Sequence, residues 1–301
     1  MPLQKWNFKR TWPLHFMLLP SLLILVVYHY GPMLGVVIAF EDYKPWLGFF
    51  HSPWVGMDNF RLLFQYPEAT RIFWNTLMIS SLKIVFNFIA PFVFALLLNE
   101  VRRMWMKRGV QTFVYLPHFL SWVVLGGIFT EMLSPQGGIV NQMLGWFGID
   151  PVFFLGSNSW FRVVVVITDM WKNFGFSAII FLAALSGIDP GLYEAAVVDG
   201  ANRWKQTLYV TIPSLVPIAI VVVTLSVGHV LEAGFDQIFN LYNPMVYQSG
   251  DIIDTYVYRT GLVNGQFSFA TAVGLFKSCV NLILVVGSYV FAYKVANYRI
   301  F

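Results

Sequence analysis

Six long apolar stretches, near 14–39, 72–98, 110–133, 160–187, 208–231 and 268–293, are separated by shorter intervals where polar residues, glycine and proline gather. A helix needs about 20 apolar residues to cross roughly 30 Å of hydrocarbon, and each stretch meets that length. The second carries one charge (Lys83) and the fourth three (Arg162, Asp169 and Lys172), within apolar runs long enough to hold them in a membrane. The pattern predicts six transmembrane helices. Pro20, Gly31 and Pro32 predict a kinked or interrupted first helix. Lys5, Lys9 and Arg10 before an apolar core give the start of the chain the look of a signal peptide. The run is too long and lacks a small-residue cleavage site, so it reads as a retained first span.

Composition narrows the class. Hydrophobic residues make up 57% of the 301 residues and charged ones 11%, against about 25% charged in soluble domains. A water-covered globular domain is excluded, and so is disorder, which requires low hydrophobicity and high net charge. The placement of charge predicts orientation. Eleven basic residues fall at the N-terminus, after span two, after span four and at the C-terminus, against four (Lys44, Arg61, Arg71 and Arg259) in the alternate connections. Both termini are expected on the cytoplasmic side of the membrane. External connections are expected near 40–71, 134–159 and 232–267. These connections are too short for separate domains, so residues 1–301 read as one integral domain. Cys279 is the single cysteine, which excludes an internal disulfide and any multi-thiolate metal site.

The interval after span four is the most informative. Tyr193, Val197, Ala201, Trp204 and Leu208 recur at helical spacing. Gly200 after Asp199 supplies a helix stop, so two short helices at an angle are predicted. Ala195 and Ala196 allow another backbone to approach closely, and Glu194, Asp199, Arg203 and Lys205 put charge beside that face. Pro213 and Pro217 mark the next span. By pattern alone, this is a cytoplasmic amphipathic element, and a helix lying on the membrane surface fits it equally well.

Glu194-Ala-Ala-Val-Val-Asp-Gly-Ala201, followed by Ile212, Pro213 and Pro217, resembles the EAA loop of permease subunits in binding-protein-dependent ABC importers, a maltose-permease-like family. Val55-Gly-Met-Asp-Asn-Phe60, Asn75-Thr-Leu77, Leu116-Pro117 and Gly138-Ile-Val-Asn141 resemble features of its carbohydrate-importing branch. Phe235 to Pro244 and Asp254 to Arg259 look like the subgroup for complex oligosaccharides and polysaccharides. The resemblance implies an all-α integral membrane fold of the type I importer kind, with six transmembrane helices and a cytoplasmic EAA coupling-helix loop over 188–213. It implies that Glu194 makes a charged contact with a cytoplasmic ATPase, that Ala195, Ala196 and Ala201 pack closely against it, that Asp199 and Gly200 make the turn, and that Arg203 belongs to the same contact. It also implies a place in a bacterial cytoplasmic (inner) membrane, a second permease, two ATPases that bind ATP and Mg, and an external binding protein. The chain has no phosphate-binding loop of its own; Gly274-Leu-Phe-Lys-Ser278 is only superficially similar and lies in a span. No cofactor or catalytic residue is expected here.

Ionisable groups inside a membrane are costly and are functional candidates by default. Lys83, Lys172 and Lys277 fall near the middle of spans two, four and six. Asp169, three residues before Lys172, is placed to pair with it. Asn87 follows Lys83 by one turn, Asn173 adjoins Lys172, and Thr271, Gly274, Ser278 and Asn281 form a polar seam on span six. Two readings stand. Either the lysines bind carbonyls and carboxylates between helices, or they line a route and attract an anionic sugar such as alginate, three ammonium groups facing one carboxylate. Trp171, Phe174 and Phe176 could stack on sugar rings. Asp42, Lys44, Asp236 and the segment from Tyr242 to Asp254 are candidates for docking a binding protein. Two rival classes remain. An ion-coupled secondary transporter or channel would use Asp169 and the lysines as a relay. A membrane polysaccharide enzyme would need a catalytic pair that the scattered acids do not form.

Overall fold

The computed structural model describes residues 8–296 of the chain, with side chains described for 12–290. Those residues are helical, and no strand occurs among them beyond one isolated antiparallel bridge between Glu41 and Trp54. Five helices are long and apolar enough to span a membrane: Trp12–Phe40, Pro67–Asn99, Asn158–Ser186, Arg203–Val227 and Phe267–Val290. The third span predicted from sequence is not one helix. Met104–Phe119 and Trp122–Met132 meet at 101°, and counting that bent pair as one span gives six. The break has a local cause. Pro117 lies in a short 3-10 turn, Leu120 and Ser121 are extended, and the Ser121 hydroxyl accepts from the Val124 amide to start a new helix.

Contacts divide the chain into two compact units, 1–65 with 257–275, and 66–256 with 276–301. In the first unit, span one contains Pro13 and Pro20, then loosens into a π-helical turn at Val26–Tyr30 and tightens into a 3-10 helix at Leu34–Phe40. These are the irregularities its prolines predict. The loop after it is held by Asn59, whose amide donates to the carbonyls of Ala39 and Glu41 at 3.0 and 3.1 Å. Phe40 stacks on Trp54, and the Tyr43 amide donates to Ser268 Oγ at 2.8 Å.

In the second unit, spans two and four lie against each other and bury two apolar clusters. Phe161, Val165, Ile79, Ile238, Leu241 and Ile252 form one toward the start of span four. Ala95, Ala178, Phe181, Leu185 and Leu215 form the other near its end. Gly175 lets the first half of span three approach, since a Cβ there would lie 2.3 Å from the Val114 carbonyl oxygen. Many large apolar side chains face outward, among them Leu14, Met17, Phe86, Phe113, Ile167 and Ile283, as expected of surfaces covered by lipid.

Candidate functional site

The loop after span four begins at Asp189, whose carboxylate accepts from the Gly191 amide at 2.9 Å and caps helix Pro190–Val198. Pro190 at the first position suits an N-terminus, where its missing amide proton is not needed. The helix closes on Gly200, at φ +76, with the Ala201 amide reaching back to the Ala196 carbonyl. That is a left-handed helix stop. No atom lies within 4 Å of a Cβ placed on Gly200, so conformation rather than space demands glycine. Asn202 then caps Arg203–Gln206 by accepting from the Lys205 amide. Two short helices with a turn at Asp199-Gly200 are what the sequence predicted.

The loop is braced on its inner side and open on the other. Tyr193 Oη and Thr211 Oγ1 are 2.9 Å apart, and Arg203 pairs with Glu100, at the end of span two, at 2.9 Å. Glu194, Ala195 and Asp199 are exposed, as are Leu192, Val197, Val198 and Trp204. Apolar side chains therefore flank the Glu194 carboxylate on an exposed face. Arg203 is a brace within the chain in this structure, and its contact with Glu100 could not be read from local sequence.

The intramembrane candidates form three separate groups. Lys83, buried in span two, lies 3.4 Å from Asp169 Oδ1, donates to the Ala233 carbonyl at 2.7 Å and also bonds Gln237 Oε1. Asn87 donates to the other Asp169 oxygen at 2.7 Å. Asp169 therefore turns to span two, not to Lys172 on its own helix. Lys172 donates to the His118 carbonyl at 2.7 Å and lies over the Trp122 ring at 5.6 Å. Asn173 meets His118 Nδ1 at 3.1 Å, while Phe176 stacks on the His118 ring at 4.1 Å between centroids. Lys172, Asn173 and Phe176 thus hold the bend of span three. Lys277 pairs with Asp254 at 2.5 Å, partly exposed. Ser278 is exposed, and Asn281 keeps a buried Oδ1 with no hydrogen bond. Three ammonium groups against one carboxylate was the wrong count, because Asp254 supplies a second.

Several motif residues resolve into loop pins. Asn75 donates to the carbonyls of Gln248 and Asp251, and its own oxygen accepts from Arg162 at 2.7 Å. Arg162 also reaches the Ser249 carbonyl, so it is anchored in protein. Asn141 donates to Leu133, Ser134 and Val152 carbonyls and accepts from the Val152 amide. Asn243 donates to the Leu155 carbonyl. In the segment between Tyr242 and Asp254, Val246, Ser249, Asp251, Ile252 and Ile253 are buried, while Pro244, Met245 and Gln248 are exposed. Asp236, in the short helix before that segment, is exposed. Gln237, fully buried and bonded to Lys83, Val165 and Thr168, was not a sequence candidate. A lone glutamine in an external connection gives no signal of burial.

Comparison with known proteins places these features in context. A family described as "Binding-protein-dependent transport system inner membrane component" matches residues 87–296. Protein LplB of Bacillus subtilis (strain 168) is 42% identical over 286 residues, covering 95% of this chain and 90% of its own. The polygalacturonan/rhamnogalacturonan transport system permease protein YteP of the same organism is 42% identical over 272 residues, covering 90% and 85%. A crystal structure of a bacterial ABC transporter involved in the import of the acidic polysaccharide alginate contains a chain with TM-score 0.89 and 41% identity, covering 96% of this chain and 97% of that one. A second structure of a bacterial alginate ABC transporter, in complex with an alginate pentasaccharide-bound periplasmic protein, matches at TM-score 0.88 and 40% identity, covering 96% of each chain.

Proposed function

The chain belongs to the binding-protein-dependent transport system inner membrane component family, and we propose that it is the permease subunit of an ATP-driven importer of acidic oligosaccharide or polysaccharide. The observation that carries this reading is the alginate transporter chain, similar at 41% identity over 96% of the sequence. YteP points the same way, since polygalacturonan is also a uronate polymer. The lysines within the spans no longer add to the case for an acidic cargo, because Lys83 and Lys277 each have a carboxylate.

In this proposal, residues 1–301 act as one permease domain with a second permease, two ATPases that hold ATP and Mg, and an external binding protein. The coupling loop, 188–213, faces the cytoplasm together with both termini. Glu194, Ala195, Ala196, Asp199, Gly200 and Ala201 form the face toward the ATPase, and Arg203 fixes that face by holding Glu100. Lys277, Ser278 and Asn281 lie along the sugar route, with Ser278 the exposed polar residue among them. Lys83, Asn87, Asp169, Lys172 and Asn173 hold helices together. Binding-protein contacts include Asp42, Lys44 and Asp236, all at exposed or partly exposed positions. ATP binding by the partners shifts the permease between two access states with different affinity for the loaded binding protein.

Reconstitution with all partners in vesicles tests the reading. Uptake of an alginate oligosaccharide should require ATP and the binding protein, and Glu194→Lys should abolish it while the complex still assembles. Uptake driven by an ion gradient without ATP would replace this reading with a secondary transporter.

A further inference from the structure

Three parts of the chain meet at the Lys83 ammonium: span two, span four through Asp169, and the turn at Ala233 to Gln237. Gln237 completes the junction. Its oxygen accepts from Lys83, and its amide donates to the Val165 carbonyl and to Thr168 Oγ1 on span four at 2.7 and 2.8 Å. The fit is close. Gly234 stands at φ +88, and a Cβ on it would lie 2.9 Å from the ammonium nitrogen. Lys83 and Gln237 are both buried, so neither is available to a passing sugar.

A second tie joins the same parts. Asn75 on span two and Arg162 on span four together hold the backbone at Gln248, Ser249 and Asp251. Asn75 and Lys83 are eight residues apart, about 12 Å along the helix. Two ties at separated heights fix a segment against rotation as well as sliding. Span four continues from these ties to Ser186, and only Gly187 to Asp189 separate it from the helix that carries Glu194.

We propose that Lys83 and Gln237 are positioning residues for transport, latching segment 233–256 to span four so that it moves as one body with the coupling helix. Movement imposed on Glu194 by the ATPases then arrives at the far end of span four without loss, where Asp236 and Met245 are exposed. The latch rests on the permease reading for its purpose, but its rigidity can be measured without any sugar.

The test uses the complete transporter with Cys279→Ser, because that thiol is exposed, and spin labels at Met245 and Ile180, both open to the outside. Pulsed dipolar spectroscopy should give one distance, the same in the nucleotide-free and ATP-trapped states. In Gln237→Leu the distribution should split or broaden on ATP trapping, and the ATP spent per alginate oligosaccharide imported should rise about tenfold, as loss of a bond to a buried charge allows. Gln237→Glu, which keeps an acceptor for the ammonium but loses the amide that donates to the Val165 carbonyl on span four, should broaden the distribution on ATP trapping as well. Thr168→Val, a milder change at the same junction, should give a smaller broadening if Gln237→Leu fails to assemble. A wild-type distance that shifts on ATP trapping overturns the latch. So does a Gln237→Leu complex with unchanged distances, since a purely stabilising role would lower yield or melting temperature alone. Absence of sugar uptake by the wild type would count against the permease reading and leave the distance result standing.

Discussion

The Lys172 ammonium donates to the carbonyl of His118 at 2.7 Å, where span three turns through 101°. The last carbonyls of a helix have no partner within it and carry the negative end of its dipole. A cation from the neighbouring span satisfies one of them. This explains how a lysine near the middle of span four is accommodated without a carboxylate, and it gives the residue a structural duty.

Replacing Lys172 with Met should leave the His118 carbonyl unsatisfied, at a cost of about 1–3 kcal/mol. The purified complex should melt at lower temperature, and transport of acidic and neutral oligosaccharides should fall by the same factor. A loss confined to acidic sugars would return Lys172 to the sugar route.

Gly175→Ala and Gly127→Ala should behave in opposite ways. At Gly175 the added methyl meets the Val114 backbone, whereas at Gly127 nothing lies within 4 Å. Overpacking of the first kind costs about 1–3 kcal/mol; the second should be neutral or slightly stabilising, because alanine is the better helix former. Thermal melting of the two variants side by side reads the difference.

At Gly200 the positive φ predicts a graded series. Gly200→Asn, which tolerates the left-handed region, should keep most ATP-dependent uptake, while Gly200→Val should lose most of it. Open space around the position means that size alone does not account for such an order. Equal activity of the two variants would show that the turn is not held in this form during coupling.

Asn141→Asp should be more damaging than Asn141→Ala. The amide donates to three carbonyls, and a carboxylate at that place has no proton to give and repels all three. Each unsatisfied buried group costs about 1–3 kcal/mol, and the added charge costs more. Melting temperatures at neutral pH, with the aspartate ionised, should follow that order.

The six apolar stretches and the helix-turn-helix after span four were legible because each rests on local chemistry: long hydrophobic windows in one case, and proline, aspartate and glycine at the ends of short helices in the other. The bend in span three was less visible. Leu116 to Val124 stays mostly apolar, although Pro117 and Ser121 are a stop and a start for a reader attending to caps. The partner of Asp169 was out of reach. Its spacing to Lys172 is favourable, but Lys83 and Asn87 approach from another helix, and only tertiary packing chooses between them. Gln237 carried no mark at all, since its importance comes from what surrounds it.

Asn59, Asn75, Asn141 and Asn243 have one further consequence. Each holds the main chain of a loop by its carbonyl groups, which every residue type possesses, so the loop's course does not depend on the side chains along it. The connections can exchange those side chains without refolding. Side chains along each of these connections can therefore diversify while the helices they join stay the same.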